Sequence, residues 1–264
     1  GPDDPANQGL TYFGPVNVMV KTKGTMPAQQ VIMAAVIDSA RVDYDAAHLV
    51  EARYFQRLLL DQVARNMMST FFVQMNQMDA GASRPDGIAK TTIKTLGIIG
   101  AGVMGAGIAF TAAKAGINVV LKDLTSENAV KGKHYAANAC AKNRRINDAQ
   151  AKDILERILP TADARDLKDC ELVIEAVFEN REVKAQVTRE TEAVLSETCV
   201  FASNTSALPI TDLAQASVRP QNFIGMHFFS PAEKMPLVEI ITGEKTSDAC
   251  LAAAFDLVQT LGKK

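Results

Sequence analysis

The chain has 264 residues, 47% of them hydrophobic, enough to bury a sizeable core in one or two domains. A formal net charge of −2 supplies no bulk electrostatic pull toward nucleic acid or an anionic membrane. No apolar run reaches the ~18 residues of a transmembrane helix, and no basic-then-apolar signal segment opens the chain. The four cysteines, Cys140, Cys170, Cys199 and Cys250, lack the close pairing of a zinc site or redox motif. They read as buried small hydrophobes in a reducing compartment, and no metal site is expected. Gly1-Pro2 has the look of a protease-cleavage scar and "LVQTLGKK" stops abruptly, so the expectation is an excised piece of a longer chain.

Residues 3–27 carry Gly, Pro and Asn around a short Val-Met-Val run and read as an irregular or extended lead-in. From Pro27, "PAQQVIMAAVIDSA" spaces its apolar residues as a helix does. With Asp43 or Asp45 as N-cap, "AAHLVEARYFQRLLLDQVARNMMSTFFVQMNQM" continues a long amphipathic pattern and predicts a second helix. "DAGASRPDGIAK" (79–90) has the composition of a linker and no periodicity. The expected organisation is therefore a lead-in and helical linker over 1–90 and a second domain over 91–264.

Beyond the linker, strands and helices alternate, the order that builds a parallel sheet covered on both faces. The predicted strands are "TLGII" (95–99), "INVVLK" (117–122), "ELVIEAV" (171–177), "CVFAS" (199–203), "FIGMHF" (223–228) and "PLVEIIT" (236–242). Helices fill most of the gaps, one of them opened by a capping box of Asn147 and Gln150.

Gly100, Gly102 and Gly105 follow the first strand directly and open a helix that ends near Gly116. In this context the G-x-G-x-x-G spacing has a physical reading. Gly100 permits the tight turn, Gly102 lets backbone approach a pyrophosphate, and Gly105 lets helix and strand pack closely, with the phosphates on the free N–H groups of the helix start. Asp123, eighteen residues after Gly105, ends the next strand, where its carboxylate can accept hydrogen bonds from an adenosine ribose. An acid there repels a 2′-phosphate, so the expected cofactor is NAD and the fold class is α/β, a Rossmann-type doubly wound, mostly parallel sheet preceded by helices.

A nicotinamide site also needs a group that exchanges a proton with the substrate oxygen, and histidine suits it. His48 and His134 lie on helices away from the strand ends. His227 ends an apolar strand in the second half of the sheet, where ligands of such sheets bind. Glu239, twelve residues on in "PLVEII", is either the acidic partner that fixes the imidazole tautomer or a strand residue facing solvent. "SNTSALPI" (203–210) reads equally as a substrate-positioning cluster and as a helix N-cap.

Four stretches, "GIIGAGVMGAGIA", "LVIEAVFENREVK", "FASNTSALPIT" and "GMHFFSPAEKMPLVEIITGEKTS", resemble the NAD-binding domain of L-3-hydroxyacyl-CoA dehydrogenases, in the form found in the multifunctional fatty acid β-oxidation alpha subunit. The resemblance runs from about Lys94 to Lys264, and residues 27–78 look like the linker helices of that subunit. It implies NAD-dependent, reversible oxidation of L-3-hydroxyacyl-CoA to 3-ketoacyl-CoA. By motif position His227 matches the catalytic histidine, Glu239 its acidic partner, and Ser206 the residue that contacts substrate and nicotinamide. Glu179 and Lys184 match cofactor contacts, as do Met104 and Asp123, while Val177 and Phe178 line the same site through backbone. Ser230 stands where monofunctional members carry an asparagine and is implied as a weaker contact. Lys131 and Lys133 are candidates for the CoA phosphates, with a solvated helix face as the other reading.

The family places a further catalytic asparagine and much of the acyl pocket in a helical domain after "LGK". The chain alone is therefore expected to bind NAD(H) but to be weak or inactive in turnover. The implied partners are acyl-CoA, an enoyl-CoA hydratase domain, C-terminal dehydrogenase domains and a thiolase subunit, in a bacterial cytoplasm rather than a mitochondrion. Two alternatives stay open on the sequence: a β-hydroxyacid-type dehydrogenase, and an NAD-binding module without catalysis of its own.

Overall fold

A computed structural model describes residues 8–264. The chain divides into two compact units, one ending at Ala80 and one running from Gly81 to Lys264.

The first unit is helical: α1 (Gln8–Thr22), α2 (Pro27–Ser39), α3 (Tyr44–Leu60), α4 (Gln62–Met68), a π-helical turn (Ser69–Gln74) and α5 (Met75–Asp79). Two expectations need correction here. The lead-in is a helix from Gln8 onward, with Pro15 inside it; residues 3–7 lie outside the described residues. Its Gly and Pro content hid the helix, which packs against α2, tertiary pairing overriding weak local propensity. The long second helix is broken at Asp61, whose backbone leaves the helical region (ψ 125°) and whose carboxylate accepts from Ala64 N–H, capping α4. Asp43, one of the two expected caps, accepts from Ala46 N–H at the start of α3.

The second unit is a seven-stranded sheet with helices on both faces. Its elements are β1 (Thr95–Ile99), α6 (Val103–Lys114), β2 (Asn118–Lys122), α7 (Ser126–Lys142), α8 (Asp148–Glu156), β3 (Ile158–Thr161), β4 (Leu172–Glu175), α9 (Arg181–Glu192), β5 (Val200–Ser203), α10 (Ile210–Leu213), β6 (Phe223–Phe228), β7 (Val238–Thr242) and α11 (Asp248–Thr260). The strand order is β3-β2-β1-β4-β5-β6-β7, parallel except for β7, which runs antiparallel to β6. Successive side chains feed opposite faces. Leu96, Ile98, Val119, Leu121, Leu172 and Ile174 join one core layer, while Ile99, Val120, Val173 and Phe201 join the other. Burial on both faces is why these strands read as continuous apolar runs.

Strand β3 escaped the sequence reading because "ILPT" is short and contains Pro160. It survives as an edge strand. Val119 and Asp123 N–H donate to the carbonyls of Arg157 and Thr161, so the odd-numbered residues face β2 and Pro160 turns its donorless nitrogen outward. The capping box is present, with Asn147 Oδ1 accepting from Gln150 N–H at 2.9 Å and Gln150 Oε1 accepting from Asn147 N–H at 3.0 Å. Helix α6 ends in a Schellman motif, Gly116 and Ile117 N–H donating to the carbonyls of Ala113 and Ala112.

The expected boundary at 90/91 and the division at 80/81 differ by residues that fasten onto α11. Arg84 makes a two-pronged pair with the fully buried Asp256, Nε to Oδ1 at 2.8 Å and Nη2 to Oδ2 at 2.9 Å, and Thr91 N–H donates to Oδ2 at 2.8 Å. Burial pushes the Asp256 carboxyl up, but Arg84 and the Thr91 N–H outweigh it and hold it below the usual carboxylate range. The pair therefore stabilises the fold above the unfolded carboxyl pKa of about 4, and that contribution is lost as pH falls through the lower folded value. Asp256→Ala is expected to cost about 3 kcal/mol in urea unfolding at pH 7, the scale for breaking a buried ion pair. The gap to the unsubstituted chain should close in acid; a pH-independent gap would assign the effect to packing instead.

All four cysteines are free and buried. Burial pushes the Cys170, Cys199 and Cys250 thiols up to about 12, far from thiolate chemistry at neutral pH.

Candidate cofactor crevice and active site

The parallel order reverses between β1 and β4, so the crevice of this sheet opens at their carboxyl ends. From β1 the chain enters the glycine loop. Gly100 has φ +96°, and a Cβ built on it would lie 2.6 Å from Ala176 O, so neither the turn nor the neighbouring strand end admits a side chain. Gly105 carries helix α6 against the loop: a Cβ there would lie 1.8 Å from Gly100 O. Gly102, by contrast, has nothing within 4 Å of that position. It is the N-cap of α6 and offers no side chain to the first N–H groups of the helix, which leaves them for an anion. Met104, on the first turn of α6, is half-buried against the core.

Asp123 follows β2. Its Oδ2 accepts from Ala101 N–H in the glycine loop at 2.6 Å and its Oδ1 from Leu124 N–H at 2.7 Å and Asn128 Nδ2 at 3.2 Å. The carboxylate is thus fixed beside the glycine loop. An open cradle at Gly102, unpaired helix N–H groups and a positioned acid without a basic neighbour in hydrogen-bond contact fit NAD. On the β4 side of the crevice stand Val177, half-buried, and Phe178, 79% exposed.

The β6–β7 pairing puts His227 directly opposite Glu239. Residues facing one another across an antiparallel pair share a side of the sheet, and His227 Nδ1 lies 2.8 Å from Glu239 Oε2. An ionised carboxylate only accepts, so the proton sits on Nδ1 and Nε2 is left as a base. Nε2 lies 3.2 Å from Ser206 Oγ, whose hydroxyl donates to it. Glu239 pairs with the imidazole while its side chain remains half exposed.

The "SNTS" run is a set of supports with one working end. Ser203 Oγ donates to Glu175 Oε2 at 2.8 Å. Asn204 Oδ1 accepts from Phe228 N–H at 2.9 Å, holding the peptide beside His227. Thr205 Oγ1 donates to Glu179 Oε1 in a short hydrogen bond and accepts from Leu208 N–H at 3.1 Å. Ser206 alone turns its hydroxyl to the histidine. None of the four caps α10, whose N-cap is Pro209.

Glu179 and Lys184 come together, Oε2 to Nζ at 3.3 Å. Burial pushes the Glu179 carboxyl up, yet the Thr205 hydroxyl, Lys184 and the Ser206 N–H outweigh it and hold it below its ordinary value. Lys184 is only 1% exposed and spends its charge chiefly on Glu175, so it meets the crevice through Glu179. Ser230 sits on the surface after β6, at a cis bond to Pro231, and is exposed. Glu175 was not singled out in the sequence; a carboxylate closing a run as apolar as "LVIE" was the available signal. Of the two CoA candidates, Lys133 donates to Ile158 O at 2.8 Å and Lys131 is exposed. A cavity of about 700 Å³ beside α6 and α7 is lined by Lys114, Lys142, Arg144, Arg145 and Lys234 together with one carboxylate, Glu233.

Comparison with known proteins agrees with this layout. Residues 95–264 match the family described as 3-hydroxyacyl-CoA dehydrogenase, NAD binding domain. The chain is 36% identical over 240 residues to the fatty acid oxidation complex subunit alpha of Psychrobacter arcticus, covering 90% of this chain and 33% of that protein. It is 37% identical over 240 residues to the Acinetobacter baumannii protein of the same name, with the same coverage. It thus spans about a third of the length of the curated relatives it matches. Among solved structures, (S)-3-hydroxybutyryl-CoA dehydrogenase from Ralstonia eutropha aligns with a TM-score of 0.64 at 40% identity, over 65% of this chain and 62% of that one. The dehydrogenase part of multifunctional enzyme 1 from C. elegans aligns at 0.63 and 29% identity, over 73% and 47%. The glycine loop, the acid after β2 and the histidine–glutamate pair thus stand in a chain that belongs to the 3-hydroxyacyl-CoA dehydrogenase NAD-binding domain family.

Proposed function

We propose that residues 91–264 carry out the NAD-dependent interconversion of L-3-hydroxyacyl-CoA and 3-ketoacyl-CoA in fatty acid β-oxidation, as part of a multifunctional alpha subunit. The observation that carries this reading is the Glu239–His227–Ser206 line at the carboxyl ends of the strands, next to an open glycine cradle. When bound, NAD supplies the hydride acceptor. The loop from Gly100 to Gly105, including the Met104 backbone, holds the pyrophosphate, and Asp123 holds the ribose. Val177, Phe178, Glu179, Ser206 and, more weakly, Ser230 face the nicotinamide end, with Lys184 acting through Glu179.

His227 Nε2 takes the 3-hydroxyl proton in oxidation and returns it to the carbonyl oxygen in reduction. Glu239 keeps the imidazole in the tautomer that accepts and stabilises its cation. Ser206 Oγ lies beside Nε2, so a substrate oxygen that approaches Nε2 comes within reach of its hydrogen bond. The net positive cavity lined by Lys114, Lys142, Arg144, Arg145 and Lys234 against the single carboxylate of Glu233 supports a phosphate-bearing substrate over a small hydroxy acid. The intact pair supports catalysis over cofactor binding alone. The partners proposed with this reading are a hydratase domain, further C-terminal dehydrogenase domains and a thiolase subunit; the relatives' name, subunit alpha of a fatty acid oxidation complex, supports assembly with other subunits, and their bacterial sources support a cytoplasmic setting. Among the described residues no helix is long and apolar enough to cross a membrane.

The test is a fluorescence titration with NADH and with NADPH, followed by acetoacetyl-CoA. The chain has no tryptophan, so bound-cofactor emission is read against little protein background. Saturable NADH binding, weaker NADPH binding and NADH oxidation on adding the CoA ester are expected. Equal affinity for NADPH, or turnover of small hydroxy acids in place of the CoA ester, would overturn the reading.

A further inference from the structure

Behind the histidine lies a second charged group that the proposed reaction does not use directly. Glu175, 1% exposed, closes β4 at the crevice end. Its carboxylate accepts four hydrogen bonds: from Lys184 Nζ at 2.8 and 3.1 Å, from Ser203 Oγ at 2.8 Å and from Val177 N–H at 2.8 Å. A buried carboxylate so fully satisfied has no capacity left for a ligand. Its Lys184 partner, equally enclosed, has one further acceptor, Glu179 Oε2 at 3.3 Å. Glu179 divides its two oxygens: Oε2 faces Lys184, and Oε1 receives the Thr205 hydroxyl and, at 3.1 Å, the Ser206 N–H.

We infer that Glu175 is a positioning residue for Ser206, acting by holding Lys184 back from Glu179. The inference rests on the proposed function for its catalytic meaning. The chain of contacts is short and each link is charge-assisted. With Glu175 in place, Lys184 is satisfied on its far side and its contact to Glu179 is the longest it makes. Glu179 Oε1 then stays on Thr205 and Ser206, and Ser206 Oγ reaches His227 Nε2. Without the Glu175 charge, a buried ammonium keeps Glu179 as its single carboxylate partner and draws it in. That pull competes with the Thr205 and Ser206 bonds and shifts the hydroxyl away from the histidine. The same carboxylate ties the ends of β4 and β5 through Ser203, and its own carbonyl accepts from Asn204 N–H at 2.7 Å, so the scaffold and the Ser206 loop share one anchor.

The test uses E175Q, which keeps the side-chain shape and removes the charge. The chain has three histidines, so the His227 ring proton is assignable by NMR without any cofactor present. In E175Q that resonance and its titration are expected to move to their position in S206A, with His48 and His134 unchanged. Turnover of acetoacetyl-CoA by the full chain should fall on the order of 10- to 100-fold, the scale of a small misplacement. E175Q and S206A should be non-additive in kcat, as expected of residues acting through one contact. Adding K184M to E175Q removes the stranded ammonium and should return the His227 resonance toward wild type. A purely structural Glu175 would lower Tm yet leave the His227 resonance in place, and K184M would restore nothing; either result overturns the proposal. If E175Q does not fold, E175D carries the test, with an intermediate His227 shift expected and an unmoved resonance overturning it. Absence of turnover in the wild type would overturn the proposed function alone, since the NMR readout needs none.

Discussion

Replacing His227 by asparagine is expected to lower kcat for acetoacetyl-CoA reduction by about 10²–10⁴-fold while NADH affinity stays unchanged. The reason is positional. Nε2 is the basic atom that Glu239 leaves free at the strand ends, and no second histidine on the sheet replaces it: His48 lies on α3 and His134 on α7. Asparagine keeps a polar group near Glu239 but has no nitrogen lone pair with which to take a proton. Because Ser206 Oγ already donates to Nε2, its hydroxyl would remain without removing the substrate proton. Paired measurements of NADH absorbance in turnover and NADH fluorescence in binding separate chemistry from cofactor capture. A variant with near-normal kcat would dismiss His227 as the proton carrier.

Gly105→Ala is expected to abolish NADH binding and to destabilise the second unit by about 1–3 kcal/mol, the cost of overpacking. The added methyl would fall 1.8 Å from Gly100 O and 3.0 Å from its carbonyl carbon. Both are backbone atoms, so no side chain can swing aside and α6 must lift off β1. Gly102→Ala makes the contrast. Nothing lies within 4 Å and φ is −66°, a conformation alanine adopts freely, so the fold should keep its stability while the methyl enters the phosphate space. Urea unfolding and NADH titration of the two variants should therefore diverge. Equal stability loss in both would mean that the loop is tuned for packing alone; retained NADH binding in Gly102→Ala would place the phosphates elsewhere.

How much of this was legible follows from the range of the forces. Strands buried on both faces announce themselves as apolar runs, so β1, β2, β4, β5, β6 and β7 were readable to within two residues at their ends. The capping box and the glycine turn depend on neighbours a few residues away and were equally plain, while the cap of α3 was narrowed to Asp43 or Asp45 and decided by the structure. Strand β3 was not, because a proline is tolerated only where the sheet ends, and the sheet edge is no property of "ILPT" itself. Helix α1 was missed for the converse reason: its Gly and Pro argue locally against a helix that contact with α2 supports. The break at Asp61 lay within an unbroken amphipathic pattern, where the aspartate's choice to cap α4 outweighed continuity.

Residue types and spacing by themselves determined the fold class and the glycine turn, and they singled out Asp123 and His227 as candidates at the strand ends, since each rests on local periodicity or on a turn of fixed length. Which groups meet was decided only by the tertiary structure. The antiparallel turn of β7 set Glu239 opposite His227, and the parallel pairing of β4 with β5 brought Ser203 to Glu175 and Thr205 to Glu179. Sheet register acts between residues far apart in sequence. A lysine that reads as one more cofactor contact in "ENREVK" thereby becomes a buried cation shared between two carboxylates.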